Sequence, residues 1–179
     1  KNAAKKARRI GLGIMGLADL LYHKGLRYGS DESLVFANRL MEFLRYQAMK
    51  ASINLAIDRG PFDAINGSIF DPGHVIWKHP KPKFKSNDYI DKCPDIDWSS
   101  IIEGLSAHGI RNAAVLSIAP TGTLSTIAGC VGYGCEPVFA LAYQRKVNNN
   151  GRTETLDYFS PLLEKALSKT NLNSVETAL

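Results

Sequence analysis

The segment SIAPTGTLSTIAG, residues 117–129, leaves an apolar run from Ala113 to Ile118 and passes through Pro120. It then sets the hydroxyls of Thr121, Thr123 and Ser125 around Gly122 within five residues. A strand ending in such a loop and turning helical near Ser125 presents backbone N–H groups that no helix carbonyl occupies. The positive end of the helix dipole favours an anion there. Gly122 lets a ligand approach the main chain, and the hydroxyls add donors. The chemistry on offer is phosphate binding. It is not a Walker A loop, because no Gly-Lys-Ser/Thr follows. The residues alone equally allow an ordinary N-cap, with Thr121 or Thr123 as the capping residue.

Other chemistry-bearing residues are weaker signals. IGLGIMG, residues 10–16, matches G-x-G-x-x-G, but a dinucleotide site needs a buried strand before the glycines. Here the polar, helix-prone KNAAKKARR precedes them, and Asp31 and Glu32 open another helix where a strand ending in an acid is required. Gly11, Gly13 and Gly16 instead give a helix a flat face for packing. His23, His74, His79 and His108 show no i, i+4 pairing and no carboxylate cluster, which argues against metal binding. Cys130 and Cys135 flank VGYG as two unrelated thiols, and Glu136-Pro137 reads as structural.

The elements that position the loop follow from periodicity. Leu34, Ala37, Met41, Leu44, Ala48, Ala51 and Leu55 recur at spacings of three and four, predicting a long helix over 31–59. Ser30 is its N-cap and Gly60-Pro61 its stop. A second helix is expected at about 8–24, ended by Gly25, and a third at about 98–108 between Asp97 and Gly109. Residues 61–95 read as a long irregular connection. Strands are expected at about 113–118 and 138–147, joined by a crossover long enough to make them parallel. A polar turn at Asn148–Gly151 and a helix over Pro161–Ser168 complete the pattern.

Composition sets the bounds. The 179 residues are 45% hydrophobic and 22% charged, enough for one globular core. Lys1, Lys5, Lys6, Arg8 and Arg9 account for the net charge of +5. No aromatic residues interleave this basic run, so a solvated helix face is favoured over a nucleic-acid site. No apolar run reaches the roughly 20 residues of a membrane span. Three cysteines without metal-ligand spacing point to a reducing cytoplasm. An opening without Met and a close at SVETAL lead us to expect a piece of a longer chain.

Three segments taken together carry a family resemblance: ARRIGLGIMGLADLLYHKGLRYGSDES, RNAAVLSIAPTGTLSTIAG and EPVFALAYQRKV. In this order they resemble the large catalytic subunit of ribonucleotide reductase, most closely its class II, adenosylcobalamin-dependent type. The likeness runs over about 7–168 and is loose only at about 63–93. It implies an α/β fold, the helix-rich carboxy-terminal portion of a ten-stranded α/β barrel, with residues 1–179 forming a single partial domain. It further implies that Pro120, Thr121, Gly122, Thr123 and Leu124, with Ser125 adjoining, cradle the substrate diphosphate.

The same resemblance implies a ribonucleoside di- or triphosphate substrate, a thioredoxin- or glutaredoxin-type reductant and a homodimer of the parent chain. Adenosylcobalamin would be bound mainly by parts outside this segment. In the implied chemistry a thiyl radical abstracts the 3′ hydrogen, the 2′ hydroxyl leaves as water, and a cysteine pair supplies electrons for deoxyribonucleotide synthesis. The family's radical cysteine, its partner cysteine and the neighbouring asparagine and glutamate lie upstream, and its shuttle cysteines downstream. No catalytic residue is therefore assigned here, and the segment alone should be inactive. Cys135 departs from the pattern, since the family usually has a hydrophobic residue before Glu-Pro. Two alternatives stand beside this reading: a class I catalytic subunit served by a separate metal-containing radical subunit, and a helical module whose basic end binds nucleic acid.

Overall fold

The computed structural model describes residues 2–81, 96–149 and 151–168. Contacts divide the chain into two compact units, Lys1–Gly13 with Gly29–Ala119, and Ile14–Tyr28 with Pro120–Leu179.

The first unit is built on α3 (Asp31–Arg59) and α4 (Trp98–His108), both where periodicity and caps place them. Ser30 is extended and its hydroxyl accepts from the Ser33 amide. At the other end of α3, the Arg111 guanidinium donates to the carbonyls of Arg59 and Gly60 at 2.9 and 3.0 Å. It thereby occupies acceptors that a helix end leaves open.

The buried face of α3 is not the stripe expected from the sequence. Leu34 and Leu55 remain more than a third exposed, whereas Ser33, Val35, Met49, Ser52, Ile53 and Ala56 are buried. The partner helix makes the choice: a side chain on Gly104 of α4 would begin 3.1 Å from Ile53, so the helices meet over Met49–Ala56. Met49 and Ile53 pack with Ile101, Leu105, Ile110, Phe62 and Ile65. The connection after α3 is irregular over 61–81, as expected, yet it supplies core: Phe62 and Ile65 are buried, and Phe70, Val75 and Trp77 pack against them. Its remainder, 82–95, with Cys93, lies outside the described residues.

A polar knot sits within this core. The Ser52 hydroxyl donates to Asn112 Oδ1 (2.9 Å) and accepts from the Asn112 amide (3.1 Å), while Asn112 Nδ2 donates to the Arg8 carbonyl at 2.6 Å. Paired in this way, buried polar groups escape most of the desolvation cost that would otherwise exclude them.

The helix expected over 8–24 is not formed as such. Helix α1 covers Asn2–Ala7, and α2, in the second unit, covers only Leu17–His23. Between them Ile10 and Leu12 are extended, donating to the carbonyls of Ala114 and Val115 at 2.9 and 3.0 Å, with a parallel bridge between Leu12 and Leu116. Gly13 is required by this approach, since a Cβ there would stand 2.7 Å from the Ser117 carbonyl oxygen. The glycines at 11 and 13 thus admit a neighbouring extended backbone, not a packed helix.

The second unit holds α2, α5 (Gly122–Ile127), a hairpin of β1 (Ala142–Asn149) and β2 (Arg152–Phe159), and α6 (Pro161–Leu167). The expected parallel pairing of 113–118 with 138–147 is not found. β1 pairs antiparallel with β2, from Ala142 opposite Phe159 to Asn149 opposite Arg152. After β1, Gly151 has φ +83° at the entry to β2, a left-handed backbone that glycine adopts without strain. Tyr143 and Tyr158 are directly opposite, with ring centroids 4.8 Å apart. α6 begins at Pro161 after Ser160, whose hydroxyl accepts from Leu162 N.

Two outcomes follow. Asn112→Ala removes the acceptor of the Ser52 O–H and the donor to the Arg8 carbonyl, while Ser52 still accepts from the main-chain amide of residue 112, and should destabilise the chain by about 1–3 kcal/mol in denaturant unfolding; an unchanged midpoint contradicts the role of the knot. Asp97 caps α4, and its carboxyl is held below its ordinary value of 3.8 first by the Ser99 hydroxyl and then by the Ser100 amide. Because the folded value lies below the unfolded one, its contribution is present above that ordinary value and is lost as pH falls through the folded value. Asp97→Asn should flatten the acid limb of the stability profile, and an identical limb in both proteins would show that the cap does not titrate with folding.

Candidate functional site

The loop Pro120–Ser125 lies at the start of the second unit. Thr121 is the N-cap of α5, held in the left-handed region at φ 53°, ψ 14°, and makes no side-chain cap hydrogen bond. That conformation is uncommon for a β-branched residue and marks local strain. The ordinary N-cap alternative is therefore not realised. The amides of Gly122, Thr123 and Leu124 take no partner among the described residues, whereas Ser125 N donates to the Thr121 carbonyl at 2.8 Å. Thr121 Oγ1 is buried and likewise without a partner.

The six predicted site residues separate into two groups. Pro120, Thr123 and Leu124 are exposed, Leu124 by 62%, and Thr121 and Gly122 are half-buried. No atom stands within 4 Å of a Cβ built on Gly122, so the approach to its main chain is open. Ser125 is different: it is fully buried and its hydroxyl donates to the Gly122 carbonyl at 2.9 Å. It shapes the loop from behind and does not offer its hydroxyl to a ligand.

The far end of α5 is closed by backbone alone. Gly129 has φ +72°; its amide donates to the Thr126 carbonyl and the Cys130 amide to the Ser125 carbonyl at 2.9 Å. This is the Schellman arrangement, and it explains the small residues that end the segment. The helix is thus satisfied at its carboxy end and unsatisfied at its amino end. Three aligned N–H donors with a partial positive charge suit an anion.

The remaining candidates settle into structural roles. Glu136 is half-buried and its carboxylate accepts from the Gly134 amide at 3.0 Å. Cys130 and Cys135 are free, partly buried thiols, and the Cys135 carbonyl accepts from the Tyr28 hydroxyl at 2.6 Å. Burial, and then the charges of Cys135 and Glu136, push the Tyr28 phenol above its ordinary range. His79 stacks on Trp98 at 5.4 Å, and His23, His74 and His108 are exposed. No group of His, Cys, Asp and Glu among the described residues is arranged for a metal ion, and no described helix is long and apolar enough to cross a membrane.

Two features near the loop were not read from the sequence. One is Asp19, whose carboxylate accepts from the amides of Val131 and Gly132 at 2.8 and 2.7 Å. Its place in the first turn after Gly16 was the available signal, but a first-turn acid is ordinarily accounted for by its own helix. The other is the hairpin, which together with residues 129–140 surrounds a cavity of about 1350 Å³.

Known proteins bear on this geometry. The chain is 34% identical over 143 residues to the ribonucleoside-diphosphate reductase subunit alpha of Chlamydia pneumoniae, covering 78% of the chain and 14% of that protein. It is 34% identical over 176 residues to the vitamin B12-dependent ribonucleoside-diphosphate reductase of Thermoplasma acidophilum, covering 98% and 18%. Against the enzyme of that name from Mycobacterium tuberculosis, strain H37Rv, identity is 37% over 145 residues, covering 81% and 16%. The chain thus spans less than a fifth of the length of these relatives. The family described as "Ribonucleotide reductase, barrel domain" matches residues 1–178, and the chain belongs to that family.

Proposed function

We propose that this chain is the carboxy-terminal part of the ten-stranded barrel of a ribonucleotide reductase catalytic chain, and that its loop Pro120–Leu124 holds the substrate diphosphate. The observation that carries the reading is the unpartnered row of amides at Gly122, Thr123 and Leu124, open to solvent beside a glycine. A phosphate oxygen there receives the donors that the helix cannot use. Ser125 and the Schellman closure keep the amides fixed before a ligand arrives. Fixed donors place the ribose against a radical site elsewhere in the parent, where a displacement of about 1 Å costs on the order of a hundredfold in rate.

The parent would act as an oxidoreductase on a ribonucleoside di- or triphosphate, with thioredoxin or glutaredoxin as reductant and as a homodimer. Relatives named vitamin B12-dependent, one of them matched over 98% of the chain, support the class II form. Relatives named subunit alpha match at similar identity and keep the class I form as the second reading. Adenosylcobalamin would be the cofactor of the class II form, and the loop amides, which suit an anion, are assigned to the substrate phosphate instead. Any cobalamin is held by other parts of the parent, and no step is routed through it here.

Gly122→Val places a branched side chain across the open approach. In the full-length parent it should raise the KM for nucleotide at least tenfold, and an unchanged KM would contradict the phosphate assignment. Reduction by the intact parent, assayed with dithiol, should require added adenosylcobalamin. Activity restored instead by a separate metal-containing subunit would move the chain to class I and leave the loop where it is.

A further inference from the structure

We infer that Asp19 is a positioning residue for the phosphate loop, acting on it through the segment Cys130–Gly134. The inference rests on the reading of Pro120–Leu124 given above. Asp19 is the third residue of α2, after the Gly16 cap. Both of its oxygens are committed to another segment: Oδ1 accepts from Val131 N at 2.8 Å and Oδ2 from Gly132 N at 2.7 Å. Two amides on one carboxylate are charge-assisted and fix direction as well as distance. Beside them Gly16 N donates to the Tyr133 carbonyl at 2.9 Å and Leu17 N to the Gly134 carbonyl at 3.1 Å. The start of α2 therefore grips four consecutive residues, 131–134, by their main chain.

The fit is tight on both sides. A Cβ on Gly132 would stand 3.1 Å from the Ala18 side chain and 3.1 Å from Asp19 Oδ2. Gly16 has φ +70°, and a Cβ there would meet Cys130 Sγ at 3.0 Å. The gripped segment continues directly into the phosphate helix. Cys130 N donates to the Ser125 carbonyl at 2.9 Å, and the Ser125 hydroxyl holds the Gly122 carbonyl at 2.9 Å. Asp19, Val131, Cys130, Ser125 and Gly122 form one path in which every link is a peptide bond or a hydrogen bond. Asp19 fixes the far end of α5, so that the amides at its near end stay aligned.

The test is steady-state kinetics of the full-length parent with cytidine diphosphate or triphosphate, whichever it reduces, on Asp19→Asn, Asp19→Ala and Gly122→Val. Asp19→Ala should raise KM about tenfold, the factor that about 1.4 kcal/mol produces, with kcat within about twofold. Asp19→Asn keeps one acceptor oxygen and should fall between; it carries the test alone if the alanine variant does not fold. Amides of residues 130–134 should exchange faster with solvent in both Asp19 variants. A fall in kcat at unchanged KM that matches the fraction of folded enzyme lost, read by circular dichroism, would overturn the positioning role. Wild-type KM in the Asp19 variants beside a raised KM in Gly122→Val would also overturn it, leaving the phosphate loop intact. Wild-type KM in all three would overturn the loop reading, and the role of Asp19 with it.

Discussion

A helix leaves its first amides without intrahelical acceptors, and the start of α5 leaves three side by side with no side-chain cap. Nothing compels this locally, since Thr121 stands where a threonine hydroxyl normally closes the first turn. Its left-handed backbone turns that hydroxyl away into a buried position with no partner. Strain and unsatisfied donors persist only where the surroundings over-determine them. Here the surroundings are Ser125 behind the loop, the Schellman closure at Gly129 and Cys130, and the grip of α2 on residues 131–134.

The first unit pairs the polar groups of its central knot. Ser52 and Asn112 occupy one another and the Arg8 carbonyl, while Arg111 covers the end of α3. Around them Met49, Ile53, Ile101, Leu105 and Ile110 make a conventional apolar core, completed by Phe62 and Ile65 from the irregular connection.

Much of this was legible in the sequence. Caps and glycine stops located α3 and α4 to within a residue, because Ser30 and Asp97 act through local hydrogen bonds that need no tertiary partner. Patterning failed where a partner decides. The buried face of α3 was chosen by Gly104 of α4, and serines counted as polar were buried because their hydroxyls found acceptors. Gly11 and Gly13 looked helical because the close main chain of Ser117 cannot be seen in a linear string. The strand β2, RTETLDYF, was missed because the six positions before Tyr158 carry one apolar residue, Leu156, and no alternation, and pairing with β1 defines it. The phosphate loop itself was visible as hydroxyls and glycine, but Ser125 was grouped with the ligand-facing residues although it is fully buried. Asp19 escaped because its partners lie more than a hundred residues away.

The central claim is that the free amides of α5 exist to hold phosphate. The most direct measurement is a crystal structure of the full-length parent with its nucleotide substrate bound. The account predicts phosphate oxygens within about 3 Å of the amide nitrogens of Gly122, Thr123 and Leu124, the ordinary N–H···O distance. A nucleotide seated with its phosphates elsewhere, and these three amides bonded only to water, would contradict it.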